Sequence, residues 1–100
     1  MSLPIGAQKR TTDGVIGVSG AKIRLYELIV VSTGGGGAVV NIYDGTSTAG
    51  VLMDTINGTT SLTVRAGYVG GLFLGSGCYI DLDANTSFVT AIYEQENSIF

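Results

Sequence analysis

Few groups in this 100-residue chain could do chemistry, and their spacing narrows what they can do. Asp81 and Asp83 are two positions apart, with Asn85 two further on. Carboxylates at that spacing share a face of an extended strand, and with an amide and backbone carbonyls they could hold Ca2+. The surrounding residues lack the ligand-dense loop of a dedicated calcium site, and acids at a strand end also cap turns, which is the reading favoured here. The same pair could serve glycoside hydrolysis, but the chain has no Trp to floor a sugar cleft. His is absent, which removes the base from Ser-His-Asp and Cys-His catalysis. With one Cys and no His there is neither a structural zinc set nor an intrachain disulfide. Gly34, Gly35, Gly36 and Gly37 run together, but no Lys-Ser/Thr pair follows and no helix pattern opens there. That run is a turn rather than a phosphate cradle. The expectation is a chain with no catalytic residue, no cofactor and no metal.

The remaining candidates are contact groups. Tyr26, Tyr43, Tyr79 and Tyr93 fall in strand-like segments and Tyr68 in a glycine-rich one. Such residues serve subunit interfaces as readily as sheet margins. Tyr68, Phe73 and Tyr79 are the expected oligomer contacts. Cys78 reads as a small buried apolar residue. Only 13% of residues are charged and the net charge is −3, with Lys9 and Arg10 the one adjacent cationic pair. This composition argues against a nucleic-acid partner. The longest apolar stretch, Leu28 to Val31, is far too short to cross a bilayer, and the first residues carry no basic region or long apolar run, so neither a signal peptide nor a membrane partner is expected. A surface this poor in charge suits permanent contact with other subunits.

The elements that position these residues are strands. Sixteen glycines punctuate the chain, and no long 3.6-residue period free of them exists. Strands are predicted at Lys22–Ser32, Ala38–Tyr43, Val51–Ile56, Leu62–Ala66, Leu72–Leu74, Cys78–Leu82 and Ser87–Glu94, with a short one at Gly14–Val18. Lys22–Ser32 carries apolar residues on both faces toward its end, which predicts burial on both sides there. The tetraglycine run is expected to make a hairpin of that strand and Ala38–Tyr43. Gly67–Gly71 is expected to be a loop, and Gln95–Phe100 a polar tail. The pattern predicts a single antiparallel β-sandwich, jelly-roll-like, of about seven to eight short strands with almost no helix. Residues 21–100 form the domain, and residues 1–20 an extended arm or edge segment rather than core.

Ala21 to Glu94 resembles the small structural proteins of tailed bacteriophages, notably capsid decoration (cement) proteins. The resemblance rests on Lys22–Ser32, on Val40-Asn41-Ile42-Tyr43-Asp44-Gly45-Thr46, on Gly75–Leu82 and on Ser87–Glu94. It implies a non-enzymatic virion protein on the capsid surface, assembled in the host cytoplasm. It further implies a homotrimer whose partner is the major capsid protein and whose N-terminal arm reaches the shell. Leu3, Pro4, Ile5, Lys9 and Arg10 would then be the capsid contacts. A head-fibre or tail-associated protein, and a lectin-like carbohydrate-binding module using Tyr68 with Asp81 and Asp83, are the alternatives.

Overall fold

The computed structural model describes residues 5–96. They form eight strands: β1 (Gly6–Arg10), β2 (Gly14–Ile16), β3 (Lys22–Ser32), β4 (Val39–Asp44), β5 (Val51–Asn57), β6 (Thr63–Leu74), β7 (Cys78–Leu82) and β8 (Thr86–Glu96). No helix occurs among the described residues. The strands make two four-stranded antiparallel sheets, ordered β1-β8-β3-β6 and β2-β7-β4-β5. The chain is thus all-β, as its composition and turn spacing predict.

The pairing is nested: β1 with β8, β2 with β7, β3 with β6 and β4 with β5. Only β4 and β5 are consecutive and in one sheet; every other connection passes between sheets. This corrects the expected hairpin of β3 and β4. The tetraglycine carries the chain from one sheet to the other, and the crossing is held by Ser32, whose Oγ accepts from the Ala38 N–H at 3.0 Å. Gly58 N–H in turn donates to the Ala38 carbonyl at 2.7 Å. A side chain at Gly37 would press on the Gly58 carbonyl, so the crossing requires glycine there.

The core lies between the sheets. Ile23, Leu25, Leu28, Val30, Leu74, Val89 and Ala91 from the first sheet meet Ile16, Val40, Ile42, Ile56, Cys78 and Ile80 from the second, nearly all fully buried. Burying each such aliphatic side chain contributes about 1.5–3 kcal/mol, the main return for ordering the strands. β1 and β2 are each the outer strand of a sheet, and Ile16, read from sequence as outside the core, enters it fully.

Two irregularities depart from the sequence reading. On β3 the buried set is Ile23 and Leu25, then Leu28, Val30 and Ser32. A bulge at Tyr26 breaks register with both neighbours between Leu25 and Glu27, so the inward face changes from odd to even positions. The two apolar faces read along this strand are therefore one inward face used in two halves. On β6 the partners of β3 jump from Gly67 to Leu72, which sets residues 68–71 off as an excursion within one long strand. Gly70 and Gly71, at φ 78° and 92°, allow it. The predicted strands Leu62–Ala66 and Leu72–Leu74 are parts of this single strand, and Leu62 lies before it, exposed.

Candidate interaction surfaces

The strand orders place β1 and β2 at one margin of the sandwich and β6 and β5 at the other. Inward-facing residues of β1, Gln8 and Arg10, sit opposite Ala91 and Val89 and reach across the gap to β2. Gln8 Nε2 donates to the Val15 carbonyl at 3.4 Å and its Oε1 accepts from Gly17 N–H at 2.8 Å. The Arg10 guanidinium donates to the carbonyls of Thr12, Asp13 and Val15 at 3.0, 2.9 and 3.3 Å. Gln95 Oε1 accepts from Val18 N–H at 2.8 Å, and Asp13 Oδ1 from Leu82 N–H at 2.7 Å. Polar side chains therefore close this margin against the backbone.

The opposite margin is closed differently. Tyr68, at the start of the β6 excursion, points inward and its hydroxyl donates to Asp54 Oδ2 on β5 at 2.7 Å. Desolvation and the adjacent Asp54 carboxylate push the Tyr68 phenol well above its ordinary range. Around this bond the surface is apolar. Val69 is completely exposed at the crest of the excursion, and Val51, Leu52 and Met53 are exposed along β5. Met53 is itself a bulge residue, because Ile42 pairs with Asp54 but Tyr43 pairs with Leu52.

From that margin an apolar row runs over the outer face of the second sheet. Leu52 lies opposite Tyr43, Tyr43 opposite Tyr79, and Tyr79 opposite Val15, so four directly paired positions cross all four strands. The Tyr43 and Tyr79 rings are 6.4 Å apart and tilted by 60°. Beside this row runs a polar one, Asp81, Asn41 and Thr55, in which Thr55 Oγ1 donates to Asn41 Oδ1 at 2.7 Å.

The charges are divided between the sheets. All five cations, Lys9, Arg10, Lys22, Arg24 and Arg65, stand on strands of the first sheet, with Glu27, Glu94 and Glu96. Strands of the second sheet carry Asp44, Asp54 and Asp81 and no cation. On the first sheet Arg65 lies 3.6 Å from Glu27 and Lys22 3.9 Å from Glu96, both pairs largely open to water.

The residues singled out from sequence are thus dispersed. Tyr68 is a half-buried margin strut. Phe73, exposed, stands opposite Arg24 on the outer face of the first sheet, and Tyr79 is on the outer face of the second. Lys9 lies over the Phe88 ring at 4.2 Å, Arg10 is engaged within its own turn, Ile5 is exposed, and Leu3 and Pro4 lie outside the described residues. Asp83 serves its own turn, its Oδ1 accepting from Asn85 N–H at 3.1 Å and Thr86 Oγ1 at 2.9 Å. No cluster of three metal-ligating side chains occurs among the described residues. Cys78 is fully buried, and burial pushes its thiol up to about 12. The row from Val15 to Leu52 and the crest at Val69 escaped sequence reading. The first depends on cross-strand register and the second on the β6 excursion, and neither leaves a signal in local spacing. Compared with family models, curated proteins and solved structures, the chain matches none.

Proposed function

We propose that this chain is a structural virion protein, a capsid decoration (cement) protein of a tailed phage. In this reading it acts as a homotrimer that binds the major capsid protein at the head surface. The nested pairing is read as a jelly roll, an architecture common in capsid proteins. The observation that carries the proposal is the apolar margin of β5 and β6, where Val51, Leu52, Met53 and Val69 face solvent on a chain with 13% charged residues. An apolar sheet edge is a template for association, and burying it against another copy or a protein lattice turns a solubility liability into binding energy. A ligand that binds only the expanded shell stabilises that state by mass action. The segment before β1, with Lys9 beside it, would contribute the shell contact.

Two measurements test this reading. Light scattering of the purified chain over a range of concentrations is expected to give the mass of about three chains, persisting on dilution. Antibody labelling of virions from the source of the gene is expected to mark heads at high copy number. A monomer that labels no particle overturns the proposal, and label confined to tails or fibres transfers the chain to those structures.

A further inference from the structure

We propose that copies of this chain associate head-to-tail, with the β6 margin of one copy lying across the outer face of the second sheet of the next. The inference rests on the self-association reading above and assigns the surfaces it leaves open. Val69, at the crest of the β6 excursion, has no contact of its own to satisfy, being completely exposed. The surface that suits it is the row Val15, Tyr79, Tyr43 and Leu52, the apolar stripe crossing the whole second sheet.

Charge favours this arrangement over contact through two second sheets. The β6 strand carries Arg65 and no acid, whereas the second sheet carries Asp81 beside the tyrosine row and no cation. Two copies meeting through the second sheet would set Asp81 against Asp81, with no cation on that sheet's strands to relieve it. Margin on face instead brings Arg65, exposed and 3.6 Å from Glu27 of β3, toward Asp81 and the tyrosine rings. Margin and face are different surfaces of one copy, so a copy can offer its margin to one neighbour and its face to another, a heterologous contact that forms a ring where its rotation closes.

The test is a charge exchange within the full-length chain, read by sedimentation velocity. Arg65→Glu and Asp81→Arg are each expected to weaken association about tenfold or more, and the two together in one chain to restore most of it. Val69→Asp, at an exposed site that no fold contact uses, is expected to give monomers with an unchanged circular dichroism spectrum. An oligomer indifferent to Arg65→Glu and Val69→Asp overturns the assignment while leaving self-association intact. So does one that responds to Val69→Asp but not to Asp81→Arg, which would mean a margin-to-margin contact. A wild-type chain that remains monomeric at every concentration overturns both readings.

Discussion

The two margins of the sandwich solve one problem in opposite ways. At β1 and β2 the gap between sheets is filled by Gln8, Arg10 and Gln95, each spending its polar atoms on backbone groups of neighbouring turns and strands. At β5 and β6 a single side-chain bond, from Tyr68 to Asp54, spans the gap, and aliphatic side chains are left outside. A margin closed by polar groups that already have partners offers little to a second molecule. A margin closed by one strut and flanked by Val51, Leu52, Met53 and Val69 gains by being covered. The difference teaches that one margin of a sandwich can be finished by the chain's own polar groups while the other keeps its apolar side chains outside.

Substitutions can break this contrast, the largest effect being at the β2 side. Ile16→Ala empties a fully buried site and is expected to cost about 3 kcal/mol in urea denaturation, because β2 is only three residues long and hangs on that side chain. Next comes Gly71→Ala, which combines φ 92° with a collision against Arg24 and is expected to cost about 2 kcal/mol. Gly70→Ala, at φ 78° with open space around it, is expected to cost about 1 kcal/mol. A reversal of that order would show that the excursion does not pack as described.

Gln8→Ala and Tyr68→Phe compare the two closures directly. The first leaves the Gly17 N–H without its partner, while the Val15 carbonyl keeps Arg10, and is expected to cost about 1.5 kcal/mol; the second is expected to cost about 1 kcal/mol because the margin is nearer water. Tyr68→Phe also alters the alkaline limb. Phenol and thiol ionisation are both disfavoured in the fold: Tyr68 is raised above its ordinary 10.0, and Cys78 alone is raised from 9.0 to about 12. A group with a raised folded pKa stabilises below its unfolded pKa, and that contribution is lost as pH rises beyond it. Stability is therefore expected to fall as pH passes 9 and then 10, and Tyr68→Phe to flatten the later part of the fall in denaturant midpoints. The smallest effect is at Val69→Ser, expected to change monomer stability by less than about 0.5 kcal/mol, which would separate a contact residue from a structural one.

Much of this contrast was unreadable beforehand, for identifiable reasons. The period-2 alternation of Cys78–Leu82, and of Ser87–Glu94 from Phe88 onward, gives their inward faces directly, because pairing there is unbroken on each strand and the one shift within β8 falls at Ser87. Lys22–Ser32 could not be read the same way, since one bulge residue, Tyr26, reverses the face and makes a single inward surface resemble two. Glycine clusters signal that regularity ends without saying how. Gly34–Gly37 crosses between sheets, whereas Gly67–Gly71 stays inside a strand. Arg10 and Gln8 look like exposed polar residues in an arm, and only their pairing with β8 turns them toward the gap. Tyr68 stood out by type, but its partner Asp54 is fixed by long-range register.

The nested pairing sets the order in which the chain can become itself. Gly6 of β1 pairs with Tyr93 of β8, so nearly the whole described chain must be synthesised before the first strand has a partner. The β4–β5 hairpin closes locally, and each successive pair outward encloses a longer loop and costs more entropy to bring together. Such topology folds on the millisecond-to-second scale rather than the microsecond scale. The hairpin that can form earliest carries Val51, Leu52 and Met53, so the nascent chain presents its stickiest strand while the polar clasp at the other margin is still unmade.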